Sequence, residues 1–145
     1  MGAKKVQVMV RQGAGFRTEC TAGKHTVIID QPASAGGTDA GPSPLEIQMM
    51  ALGGCIAAIG RIIAHQRKLA IRGLEIALEA DIDTDGLLGK PTNSRVGFSE
   101  IRGRVRIDAD LPAAEKDALL HEIDRRCPIS ENLQNGTRIR FTLEP

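Results

Sequence analysis

One helix signal constrains this chain more than any other feature. Ser43 stands where an N-cap belongs, Pro44 at the first helical position and Glu46 three residues after the cap, which together make a capping box. From there a helix is expected to run to about Lys68. Its apolar residues, Leu45, Ile47, Met49, Met50, Leu52, Ile56, Ile59, Ile62 and Ile63, are spread over most of its circumference. A helix apolar all round has to be buried all round. The chain has 145 residues, room for a single domain over 1–145. One sheet covers such a helix poorly at that size, so a second copy of the chain is expected to help. Gln48 and Arg61 interrupt the apolar run 47–64, so it is not read as membrane-spanning.

The remaining pattern is antiparallel. Residues 4–11 alternate around Val6, Val8 and Val10, and Gly13 and Gly15 follow as a turn. Strands are expected near 16–22 and 25–30 on either side of a Gly23-Lys24 turn, giving a three-stranded meander. Residues 31–44 hold three Gly and three Pro and read as a loop of functional length. Beyond the long helix, 74–83 alternates apolar residues with Glu75, Glu79, Asp81 and Asp83. After a loop over 84–98, Ile101, Val105 and Ile107 alternate with Arg102, Arg104 and Arg106. A second helix is expected over 112–126, a short helical turn after Cys127-Pro128, and a last strand over 137–143. The order βββ-α-ββ-α-β is α+β with antiparallel sheets packed around a buried helix.

The arginine stripe, with Arg138 and Arg140, poses the question of a nucleic-acid face. A net charge of +1 supplies no field to attract polyanions. Three phenylalanines with no Trp or Tyr supply no stacking platform. The acidic stripe of matching period on the preceding strand offers cross-strand pairing instead. Neither nucleic acid nor membrane is expected as a partner.

The three cysteines have no zinc spacing and fit a reducing, cytoplasmic setting rather than a disulfide framework. Cys20, on an alternating strand, reads as packing. Cys55 lies mid-helix in Ala51-Leu-Gly-Gly-Cys, with no helix N-terminus or cation beside it in sequence. Gly53 and Gly54 weaken the helix by about 1 kcal/mol each relative to Ala, which suggests that something approaches the backbone closely there. Cys127 follows Arg125 and Arg126 and precedes Pro128, an N-cap position whose local physics favours a thiolate. The same arginines also serve as ordinary C-terminal charges of the helix before it.

Three segments in order are more specific than any of these features alone. They are the stretch from Asp30-Gln-Pro-Ala-Ser to Gly41-Pro-Ser-Pro-Leu-Glu, then Ala51-Leu-Gly-Gly-Cys, then Cys127-Pro-Ile-Ser-Glu-Asn-Leu. Together they resemble the OsmC/Ohr family over essentially the whole chain, closer to its OsmC-like branch than to the dedicated organic hydroperoxide resistance proteins. The resemblance implies an OsmC-like fold and an intertwined homodimer with sites at the interface. It also implies reduction of organic hydroperoxides to alcohols by thiol chemistry, with no metal or other cofactor and with an external dithiol as reductant. On that model Cys55 attacks the peroxide and becomes a sulfenic acid, and Cys127 condenses with it to a disulfide.

The family also implies an arginine from an N-terminal strand or turn and a glutamate near the start of the long helix. Arg17 is the choice for the first, with Arg11 as the alternative. Glu46 is the candidate for the second, although the hydroperoxide resistance proteins carry theirs ten residues before the cysteine and here Leu45 holds that place. Nine residues before Cys55, Glu46 falls on roughly the opposite side of the helix. Gln48, seven before, shares the cysteine's face and offers a substitute polar contact. Local physics favours Cys127 as the more acidic thiol while the resemblance implies Cys55 as the attacker, and we follow the resemblance. A stress-protection or ligand-binding dimer and a slow redox sensor are the alternatives. The aliphatic residues around Cys55 point to apolar peroxides as substrates.

Overall fold

The computed structural model describes residues 2–145. The chain divides into two compact units, one ending at Met50 and the other spanning Ala51–Pro145, with the long helix passing through the boundary.

The first unit is built on β1 (Met9–Gln12), β2 (Thr18–Ala22) and β3 (His25–Ile29), an antiparallel meander. Its register pairs Met9 with Thr21 and Thr18 with Ile29. Gly15 and Gly23 take positive φ at the two turns, the conformation that glycine adopts without steric cost. The first strand is shorter than its alternation predicts. It begins at Met9, and Val6 and Val8 stand exposed before it. No strand pairs with residues 4–8 among the described residues, so their alternation has nothing to act on within one chain.

Asp30, at the end of β3, organises the loop that follows. Its carboxylate is buried and accepts the N–H groups of Gln31 (2.8 Å), Thr38 (3.1 Å) and Ala40 (3.1 Å) and the Thr38 hydroxyl. The Thr38 hydroxyl and these amides, outweighing burial, hold Asp30 down at about 2. Gly37 and Gly41 permit the fold-back, since a Cβ on either would lie 1.9 Å from the Gln31 carbonyl oxygen or 2.2 Å from that of Ile28. The loop is therefore a clamped structure with one 3-10 turn at Ala33–Ala35, rather than loose chain.

The capping box forms as the sequence dictates. The Ser43 Oγ accepts the Glu46 N–H at 3.3 Å, and the Glu46 carboxylate accepts the Ser43 N–H at 2.7 Å and its hydroxyl at 2.8 Å. Helix α1 covers Pro44–Arg67 and stops where Lys68 turns left-handed and the Leu69 N–H reaches the Ala64 carbonyl. By length and composition α1 could cross a bilayer. In the second unit its stripe of Leu52, Ile56, Gly60, Ile63 and Ala64 packs into the protein's own core instead.

The second unit adds the antiparallel pair β4 (Ile71–Asp81) and β5 (Glu100–Ala109), then α2 (Ala113–Arg126) and α3 (Pro128–Asn135). Ile63 and Ile123 are fully enclosed in its core with Ile71, Ile107 and Leu119. Each such side chain contributes about 1.5–3 kcal/mol by leaving water. The outer face of the pair is a charge ladder: Glu75 opposes Arg106, and Arg102 reaches Glu79, Asp81 and Glu100. Arg104 departs from the expected pairing, because Ala77 stands opposite it.

Two expectations fail within the single chain. Helix α1 is buried along one stripe rather than all round, with Met50 and Ile62 exposed. Residues 137–143 form no strand. Ile139, Phe141 and Leu143 alternate as predicted yet are 72%, 94% and 94% exposed, because no described strand edge receives them.

Candidate active site

The second unit brings together the two cysteines that lie about seventy residues apart in sequence. Cys55 sits mid-way along α1 and is partly exposed; Cys127 sits at the α2–α3 junction and is 0% exposed. The Cys127 thiol is near enough to Cys55 to bear on its titration, and both thiols are unbridged. Cys127 is the N-cap of α3, with Pro128 at the first helical position, and its Sγ accepts the Ser130 N–H at 3.3 Å. The cap is braced from two sides. The Ser130 hydroxyl donates to the Asp124 carboxylate, and the Gln134 side-chain amide donates to the Ser130 oxygen at 2.7 Å.

Burial pushes the Cys55 thiol above its ordinary value, and the Cys127 thiol adds to the shift; the Ile129 N–H acts in the opposite direction. The first turn of α3 therefore bears on both sulfurs: the Ser130 N–H donates to Cys127, and the Ile129 N–H tempers the upward shift of Cys55. Sequence reasoning identified the N-cap at Cys127 but found no helix terminus for Cys55, because the one that reaches it comes from a distant part of the chain. The arginines beside Cys127 are placed differently from the simple cation argument. Arg126 is engaged with Glu122 at 3.2 Å and with Gln66 at 3.0 Å, and Arg125 is exposed.

The close backbone approach expected at Gly53 and Gly54 is elsewhere. A Cβ on Gly53 would make ordinary contact with Leu78 and Ile76, and one on Gly54 would meet open space within this chain. Gly60 is the tight position: its Cβ would lie 2.7 Å from Leu74 and 3.2 Å from Ile123. The sequence marks Gly53-Gly54 more loudly, but the helix seats against β4 and α2 at Gly60.

Arg17 and Glu46 belong to the first unit. Arg17 is exposed immediately before β2, whereas Arg11 lies on β1 opposite Glu19. The Glu46 carboxylate is committed to the cap, and the Ser43 N–H and hydroxyl hold it below its ordinary value. Gln48 is exposed on α1. Cys20 is on β2, opposite Val27. Among the described residues no group of three or more His, Cys, Asp and Glu side chains is placed to hold a metal ion.

The family model for OsmC-like protein matches residues 37–142. No curated protein matches the chain. Solved structures resemble it over nearly its whole length. An OsmC-like protein from Mycoplasma pneumoniae is 20% identical, with a TM-score of 0.79 over 90% of this chain and 88% of that one. An organic hydroperoxide resistance protein OsmC from Legionella pneumophila is 17% identical, with a TM-score of 0.69 over 94% and 93%. The organic hydroperoxide resistance protein OhrB of Bacillus subtilis is 20% identical, with a TM-score of 0.60 over 90% and 91%. At such identities the structures establish a shared fold, and with the family match over most of the sequence, both thiols included, they show that this chain belongs to the OsmC-like family.

Proposed function

We propose that the protein is a cysteine-based peroxidase that reduces organic hydroperoxides to alcohols. The observation that carries this reading is the meeting of two unbridged thiols in front of one helix N-terminus, the arrangement a sulfenic acid and its resolving thiol require. Solved structures of the same fold described as organic hydroperoxide resistance proteins add weight.

In the proposed cycle the Cys55 thiolate attacks the terminal peroxide oxygen. The O–O bond breaks, an alkoxide leaves and takes a proton as the alcohol, and Cys55 becomes a sulfenic acid. The Cys127 sulfur then attacks the oxidised sulfur, water leaves and a disulfide closes. A dithiol supplies the two electrons that reopen it. Cys55 is the attacking sulfur because it has solvent access and Cys127 has none. Arg17 is proposed as the arginine that the family resemblance calls for to polarise the peroxide, with Arg11 as its alternative. Glu46 is assigned to orient the arginine while capping α1. No resident cofactor is needed, and the free thiols suit the cytoplasm.

We also propose a homodimer, in which a second copy covers the exposed Ile139, Phe141 and Leu143 and the exposed Met50 of α1. The engagement of Glu46 in its cap favours one competing reading, a ligand-binding or stress-protection dimer with little turnover.

Consumption of tert-butyl hydroperoxide under excess dithiol separates the readings. Many turnovers in the wild type and none in Cys55→Ser support the peroxidase. Arrest after one equivalent indicates a sensor, and no consumption by either protein rules the peroxidase out.

A further inference from the structure

We infer that the reducing dithiol enters the oxidised pair at the Cys55 sulfur and that Cys127 is the sulfur that leaves. The inference rests on the peroxidase reading for its use in a cycle, but its geometry stands apart from the peroxide. A thiolate attacks a disulfide along the line of the S–S bond, from the side away from the leaving sulfur. Cys127 has no exposed surface from which such an approach could come, whereas Cys55 is partly open.

The leaving position is equally built. As the S–S bond breaks, negative charge develops on Cys127, where the Ser130 N–H already lies 3.3 Å from the sulfur. That donor is held in place, since the Ser130 hydroxyl is tied to Asp124 and its oxygen also accepts from Gln134. Solvent reorganisation is not required at a sulfur that never meets solvent.

The steps balance. One reductant thiolate bonds to the Cys55 sulfur, and the electron pair of the Cys55–Cys127 bond goes to Cys127. The second thiolate of the same reductant then attacks its own sulfur in the mixed disulfide, closes a cyclic disulfide and releases Cys55. The reductant loses two electrons, and its two thiol protons pass to the two cysteine sulfurs. A monothiol stops at the mixed disulfide, which makes the point of entry readable.

The test uses the full chain oxidised with diamide, so that closing the bridge does not depend on peroxide chemistry. The bridged protein is mixed with a stoichiometric amount of 2-mercaptoethanol and quenched early with acid. Freed thiols are then alkylated in denaturant and the peptides are mapped by mass. The expected result is the adduct on Cys55 and the alkyl group on Cys127, in roughly tenfold or greater excess over the reverse. An adduct on Cys127, or comparable amounts on both, overturns the inference, as does failure of diamide to close the bridge. If the bridge closes and maps to Cys55 while the protein leaves tert-butyl hydroperoxide untouched, the peroxidase reading fails and the order of thiol exchange stands.

Discussion

The Ser130 hydroxyl donates to the Asp124 carboxylate and so ties the first turn of α3 to the last turn of α2, across the residue that carries the second thiol. Ser130→Ala removes this tie and the acceptor of Gln134 but leaves the peptide N–H on Cys127. Loss of one buried hydroxyl partner should lower stability by about 1 kcal/mol, read as a shift of the urea midpoint at unchanged slope. Native-state alkylation of Cys127 should also become faster. An unchanged alkylation rate would mean that the tie does not hold the cap closed.

Cys127→Ala should move the midpoint of Cys55 alkylation to lower pH. Burial is the largest cause of the upward shift and remains, but the hydrogen bond and charge of the neighbouring thiol are removed and the Ile129 N–H still acts. The raised folded-state value also means that the neutral Cys55 thiol supports the fold at lower pH. That support fades as pH rises through the thiol range. A midpoint that moves upward in Cys127→Ala would contradict the geometry.

Asp30 titrates at about 2 in the folded chain, against an ordinary value of 3.8. A depressed carboxylate stabilises the fold at pH above its unfolded value and loses that contribution as pH falls through the folded one. The loop over 31–42 should therefore hold at neutral pH and loosen between about pH 4 and 2. Asp30→Asn presents an amide donor where amides and a hydroxyl donate, so the loop should be cleaved at neutral pH roughly tenfold faster or more by a nonspecific protease. Equal cleavage of both proteins would show that the carboxylate does not fasten the loop.

The parts of the fold that one segment decides were legible in the sequence. Ser43, Pro44 and Glu46 announce the start of α1, and the acidic and basic periods announce the Glu75–Arg106 and Glu79–Arg102 pairs. Features that need a second segment were not. The alternation of Ile139, Phe141 and Leu143 is real, but a strand exists only where an edge accepts its hydrogen bonds. The burial of Asp30 depends on amides eight and ten residues away. At the site, the spacing and flanking residues of Cys55 and Cys127 were readable. The shared helix terminus was not, because it is a tertiary relationship between α1 and α3.

Phe141→Asp tests the proposed second copy. Its side chain is almost wholly exposed in the single chain, so a charge there costs the isolated fold little. In a dimer that buries it, an unpaired carboxylate is expensive. The wild type should sediment as a dimer and the variant as a monomer or weakened dimer. If both sediment as dimers of equal strength, this segment lies outside the interface.

Gly60→Ala and Gly54→Ala should move stability in opposite directions. Each gains up to about 1 kcal/mol in helix propensity. At Gly60 the added methyl meets Leu74 at 2.7 Å and Ile123 at 3.2 Å, an overpacking cost of about 1–3 kcal/mol that outweighs the gain. At Gly54 nothing in the chain opposes it. A more stable Gly60→Ala would show that the core yields there at little cost.

The seating of α1 at Gly60 also governs how the two sulfurs encounter each other. The helix bearing Cys55 is indexed directly against Ile123 of α2, four residues before Cys127. A glycine at the contact lets the helix sit close against those side chains, which sets the register of Cys55 relative to the end of α2 that leads into Cys127. The second thiol then acts on the first as a reagent held at high effective concentration rather than one delivered by a wandering loop.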